Sequence, residues 1–155
     1  MRFGKWQFAL GAVASLFHDV LMVLGVFSIF YGILPFSMEI DQAFIAAILT
    51  VVGYSINDTV VVFDRIREYL REHKRMETKS MLNKALNSTL SRTINTSLTT
   101  IIVLLIIFIF GGESIKGLTF ALLVGIGVGT YSSLFVASPV VYDLTRGKLA
   151  ETAKK

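Results

Sequence analysis

Two aspartates, Asp19 and Asp58, stand inside long apolar runs, and an arginine, Arg92, opens a third. A carboxylate in a membrane helix costs roughly 2.5–3.5 kcal/mol on insertion scales, so a chain that keeps one there has a use for it. Asp58 lies in Gly53-Tyr54-Ser55-Ile56-Asn57-Asp58-Thr59, and a dense charged segment begins at Asp64. Counted from that end it is about five residues, roughly 8 Å, inside its span at ~1.5 Å per residue. Arg92 enters from the same side, so a salt bridge across the helix pair is geometrically allowed. Burial disfavours the charged form of a carboxylate and a neighbouring guanidinium favours it. A pair that separates and re-forms can therefore take up and release a proton. The competing use of the same residues is a static buried ion pair that fixes helix register.

The neighbours extend the pattern. Arg92, Asn95, Thr96, Thr99 and Thr100 recur at i, i+3, i+4, i+7 and i+8 and share one helix face. Such a stripe is unfavourable against lipid and is expected to point into the bundle or a wet cavity. On the preceding helix Tyr54, Ser55 and Asp58 share a face, with Asn57 and Thr59 beside it. Together they predict a hydrated polar path reaching in from the charged side. Asp19 carries Gly11 and Ser15 on its own face, while His18 points about 100° away. For Asp19, a structural hydrogen bond between helices and membership of a proton relay are equal readings.

The elements that must position these groups are legible from composition. Of 155 residues 54% are hydrophobic and 17% charged, against about 45–50% and 25% in soluble domains. Four segments, about 8–30, 40–63, 93–110 and 118–142, are long enough to cross a hydrocarbon core of about 30 Å as helices. The first is a retained span, since no Ala-x-Ala-like cleavage site ends it. Fourteen of the 15 Lys and Arg residues fall in Arg2 to Lys5, Arg65 to Arg92 and Arg146 to Lys155. That asymmetry places those segments, and both termini, on the cytoplasmic side of the membrane. The fold class expected is an all-α membrane protein. It is a single transmembrane domain over 1–155, with four spans and a cytoplasmic amphipathic helical connection over 64–92. In that connection Ile66, Tyr69, Leu70 and His73 form an apolar stripe, and a second short helix is expected after Thr78, with Leu82, Leu86 and Leu90 at intervals of four. The preferred placement is a hairpin lying on the membrane surface.

The fourth span carries Ala121, Gly125, Gly129, Ser133 and Ala137 at strict four-residue spacing, a pattern that lets helix backbones approach. Gly125-Ile126-Gly127-Val128-Gly129 looks like a nucleotide-binding loop but lacks the strand before it, so packing is its reading. The absence of cysteine and the separation of His18 from His73 argue against a metal centre. The basic residues do not form a soluble face with interleaved aromatics, so nucleic acid is not the expected partner. An intramembrane aspartyl protease needs two carboxylates sharing a water, and the glycine motif here runs into Val128 and Gly129 where that class has an aspartate. A transport device, not an enzyme, is expected, with no cofactor.

Val52 to Thr59, continued by Phe63-Asp64-Arg65-Ile66-Arg67-Glu68, resembles the signature of SecF proteins, of the SecD/SecF family in the resistance-nodulation-division superfamily. Ala9 to Ala12 with His18-Asp19-Val20, Ser91-Arg92-Thr93 with Thr96 to Thr100, Phe110-Gly111-Gly112, and Gly125 to Ser138 agree with it. The resemblance implies a subunit of the Sec protein translocase that couples proton-motive force to preprotein export. Its implied partners are SecD, the SecYEG channel, accessory subunits of the YidC and YajC type, translocating preproteins and protons. By motif position Asp58 matches the family's membrane acid and Arg92 its basic partner, and a further acid comes from SecD. Family members have six spans and an external domain after the first. Met1 to Trp6 resembles the loop before the third span, so the resemblance reads this sequence as a carboxy-terminal portion. The alternatives are another proton-coupled transporter of the superfamily and a structural bundle without proton coupling.

Overall fold

A computed structural model describes residues 5–72 and 78–144. It contains four helices: α1 (Lys5–Phe30), α2 (Gln42–Glu72), α3 (Thr78–Phe110) and α4, which runs from Glu113 to Leu144 through a π-helical turn at Ser133–Ala137. All four are long and apolar enough to cross a membrane.

Local chemistry explains where they start and bend. Asp41 caps α2, its Oδ1 accepting the Phe44 backbone N–H at 2.8 Å, which satisfies one of the helix's open amides. Between α3 and α4 the chain turns at Gly111, where a Cβ would stand 2.3 Å from the Ile107 carbonyl oxygen, so only glycine fits. The π turn ends two residues before Pro139. Proline has no N–H to offer the carbonyl four residues back and its ring crowds that carbonyl, so the helix widens there. Within the widened turn Ser138 Oγ also donates to the Ser133 carbonyl at 3.3 Å.

The helices alternate in direction, and the packing has three tiers. At the basic end Phe8, Val62, Phe63, Ile66, Met81, Leu82, Ala85, Leu134, Ala137 and Val141 form one apolar cluster. At the other end Val23, Phe27, Met38, Phe44, Ala47 and Ala121 form a second, with Phe27 against Phe44 at 4.5 Å between ring centroids. Between the clusters buried polar side chains gather, Ser15, Asp19, Ser55, Thr59, Thr93, Ser97 and Ser133, beside the apolar Val51 and Ile126. Ala121, Gly125, Gly129, Ser133 and Ala137 are all buried, and the extra residue in the π turn brings Ala137 back to the face from which a four-residue interval drifts. A Cβ on Gly125 would stand 2.2 Å from Val51 Cγ2, whereas Gly127 faces open space.

The region 64–92 differs from its expected form. α2 runs unbroken to Glu72 and α3 is already helical at Thr78, so residues 66–72 and 78–92 are continuations of the long helices, and among the described residues no separate element is seen. The reason is the apolar stripe itself. Ile66 is 0% exposed and packs with Met81, Leu82 and Ala85, with Tyr69, Leu70 and Leu86 against them. That stripe seals the end of the bundle. The His73 end of it lies outside the described residues, as do the terminal basic segments 1–4 and 145–155.

Candidate functional site

Asp58 sits in the polar tier, where α2, α3 and α4 meet. Thr93 Oγ1 of α3 donates to its Oδ1 at 3.0 Å, and Ser133 Oγ of α4 donates to its Oδ2. Both carboxylate oxygens are thus held, each by a hydroxyl from a different helix. Ser133 is the first residue of the π turn and lies one helical turn on from Gly129, on the same buried face. Sequence reasoning had Ser133 only as a packing residue and did not single out Thr93. The signal for both was small polar side chains on the faces that must meet Asp58.

Next along the tier, Tyr54 Oη and Thr130 Oγ1 both donate to Ser97 Oγ, at 3.4 and 2.6 Å, tying α2, α3 and α4 together. On the α1 side Ser55 Oγ donates to Asp19 Oδ2 at 2.6 Å, and His18 Nδ1 lies 3.1 Å from Asp19 Oδ1. Asp19 shares the buried face of α1 with Gly11 and Ser15, as its spacing predicts. Thr59 is 1% exposed, and its Oγ1 has no hydrogen-bond partner among the described residues. Asn57 is exposed.

Two arrangements that the sequence allows are not formed in this structure. No ion pair joins Arg92 to Asp58 among the described residues; Arg92 is exposed and lines a cleft of about 390 Å³ with Asp64, Arg65, Glu68 and Ser88. The cause is helical geometry. Arg92 and Thr93 are consecutive, so they point about 100° apart, and Thr93 occupies the seam. The same phase turns the stripe outward. Asn95, Thr96 and Thr99 are exposed and Thr100 is half-buried, while Thr89, Thr93 and Ser97 face the core. The exposed threonines satisfy themselves on their own helix: Thr96 donates to the Arg92 carbonyl at 2.5 Å and Thr100 to the Thr96 carbonyl at 2.9 Å.

Outside this tier the charged groups are solvated. Arg65 pairs with Glu68 at 2.5 Å, and that hydrogen bond is the main reason its pKa lies above the ordinary arginine value. Arg67 lies over the Phe8 ring at 4.5 Å. Among the described residues no group of three His, Asp or Glu side chains could hold a metal.

The sequence model for "Protein export membrane protein SecD/SecF, C-terminal" matches residues 1–147. The protein translocase subunit SecF of Rhodothermus marinus is 63% identical over 140 residues, 90% of this chain and 46% of that protein. The SecF subunit of Haemophilus influenzae is 53% identical over 140 residues, 90% of this chain and 41% of that one. A crystal structure of SecDF in a super-membrane-facing form aligns with a TM-score of 0.86 at 41% identity, covering 97% of this chain and 20% of that one. The chain spans a little under half the length of these curated relatives. With nearly all of its residues matched and its four helices superposing on a solved relative, this chain belongs to the SecD/SecF family of protein-export membrane proteins.

Proposed function

We propose that this chain carries the proton-coupling part of a Sec translocase subunit, and that Asp58 is the group that takes up and releases the proton. One observation carries the reading: a carboxylate held at both oxygens by Thr93 and Ser133, in a polar tier closed at each end by an apolar cluster. Hydroxyls both donate and accept. Thr93 and Ser133 can therefore hold Asp58 ionised, by donating, or protonated, once one of them rotates to accept. The site serves both states of a proton cycle without rebuilding.

Arg92 supplies the switch. It stands one position from Thr93 on α3, so a rotation of α3 by about 100° exchanges hydroxyl for guanidinium at the carboxylate. Ionised Asp58 would draw Arg92 in, and protonated Asp58 would release it. Asn95, Thr96 and Thr99, exposed on this bundle, are the face for a second membrane subunit, since lipid is a poor neighbour for them. Membership of the family supports SecD as that subunit, with the SecYEG channel and translocating preproteins as the larger partners.

The membrane geometry fits the same scheme. α2 and α3, at 31 and 33 residues, are about 46 and 50 Å long, against a hydrocarbon core of about 30 Å. Their excess carries the charged side chains of Arg65 to Arg92, so it projects into the cytoplasm and both chain ends lie on that side of the inner membrane.

The test is proton-motive-force-dependent secretion in cells whose translocase carries Asp58→Asn, with the protein present at normal level. Loss of the force-dependent component is expected. Unchanged export kinetics would refute the assignment and favour a bundle that is structural only.

A further inference from the structure

The reading above gives no part to Asp19, the more deeply buried of the two membrane carboxylates at 0% exposure. Its surroundings are built for an acid. Ser55 Oγ donates to Oδ2 at 2.6 Å, His18 Nδ1 stands 3.1 Å from Oδ1, and His18 is 31% exposed, so the imidazole is the open side of the pair. Backbone closes the other side. A Cβ on Gly129 would lie 3.3 Å from Ser55 Cβ and 3.6 Å from Asp19 Oδ2, so α4 packs against the pair without a side chain. An ionised carboxylate so enclosed is costly unless a cation stands beside it. The pair is neutral only when it holds one proton, as imidazolium with carboxylate or as imidazole with carboxylic acid.

Few other charges bear on it. On α2 the ionisable neighbours are Tyr54, whose hydroxyl is engaged with Ser97, and Asp58; residues 93–110 of α3 and 117–130 of α4 contain none. Ser55 precedes Asp58 by three residues, and Thr59, one turn on from Ser55, offers the buried hydroxyl that has no partner among the described residues. Hydrogen-bonded polar atoms thus run from His18 through Asp19 to Ser55, and Thr59 stands one turn further along α2, beside Asp58 in sequence. Asp19 lies on the side of Asp58 away from the basic end.

We propose that His18 and Asp19 form a second proton-holding site, one turn of α2 from Asp58, where a proton waits before it reaches Asp58. This rests on Asp58 being the coupling acid. His18 shares the proton with Asp19 through the Nδ1–Oδ1 contact, and Ser55, bonded to Asp19, lies one turn of α2 from Asp58.

The experiment compares force-driven export against external pH for the wild type, Asp58→Asn, Asp19→Asn and His18→Gln, each in the intact translocase and normalised to membrane protein level. Asn keeps an acceptor for Ser55, and Gln keeps a polar group that holds no proton. With Asp58→Asn inactive, His18→Gln and Asp19→Asn are expected to lower export by about tenfold or more and to flatten its pH dependence. A wild-type rate and pH profile in His18→Gln, or a loss equal at every pH, overturns the second site while Asp58 stands. Should Asp19→Asn fail to accumulate, His18→Gln decides alone. Normal export by Asp58→Asn would instead remove the reading beneath, and this inference with it.

Discussion

Replacing Gly125 by alanine puts the packing of α2 against α4 to a quantitative test. The added Cβ would stand 2.2, 2.8 and 3.0 Å from Cγ2, Cγ1 and Cβ of Val51, which is itself 1% exposed. Valine in a helix has one strongly preferred χ1, so the side chain cannot rotate clear. The two helices must part instead. Overpacking of this kind costs about 1–3 kcal/mol, and the closeness of all three atoms puts the expected loss at the upper end. Gly127→Ala is the control, because nothing lies within 4 Å of its added carbon. It should be neutral or gain roughly 0.5–1 kcal/mol from helix propensity. The assay is reversible unfolding of the intact protein in mixed micelles, followed by helical circular dichroism. Val51→Ala opens the space that the new methyl needs, so the double variant should be more stable than the sum of the singles by up to about 3 kcal/mol. Equal stability of Gly125→Ala and Gly127→Ala, or strict additivity with Val51→Ala, would show that the α2–α4 seam does not lie where these atoms place it.

Other perturbations separate the parts of the site. Ser133→Ala and Thr93→Ala each leave one oxygen of Asp58 without its hydroxyl; each should cost about 1–3 kcal/mol of stability and slow force-driven export, with the double variant worse than either. Asp41→Ala removes the α2 cap and should cost about 0.5–2 kcal/mol in the same unfolding assay, without changing the pH dependence of export. Arg65 is exposed, and its hydrogen bond to Glu68 moves its pKa upward from a value already beyond the working range. A raised pKa contributes stability below the unfolded value and loses it only as pH passes the folded one. Arg65→Gln should therefore leave the pH dependence of unfolding unchanged between about pH 5 and 9.

The four helices and their alternation were legible because membrane apolar runs are long and the charges between them are dense. The α1 face of Gly11, Ser15 and Asp19 and the small-residue face of α4 were legible for a similar reason, since each repeats every four residues over several turns. The extension of α2 to Glu72 was harder to see. Apolar residues thin out after Phe63, and only the pairing of Ile66 with Met81 and Leu82 shows that the stripe belongs to the bundle. The phase of α3 was misjudged because that helix has two polar faces, Arg92-Asn95-Thr96-Thr99 and Thr89-Thr93-Ser97. Periodicity cannot say which of them meets Asp58. The π turn had a cue in Pro139, but a proline in a helix permits a kink, a break or a widened turn, and packing chooses among them.

The two faces of α3 are a property of one helix with two uses. The inner face offers Thr93 and Ser97, which bind across to Asp58 and to Tyr54 and Thr130. The outer face offers Thr96, Thr99 and Thr100, whose hydroxyls are already satisfied by carbonyls of their own helix. A threonine bonded to its own backbone carries its hydrogen bond with it when the helix turns, so rotating α3 does not strand those groups. The inner face is different, because its hydroxyls bond to other helices and let go when α3 turns. What opposes the turn is thus concentrated in a few bonds, and the one to Asp58 changes character with a proton. Protonation removes the charge that makes that bond strong. On the proposed function, a helix held at its inner face by the Asp58 carboxylate, with an arginine one position away, is the element in this bundle whose orientation proton binding would bias.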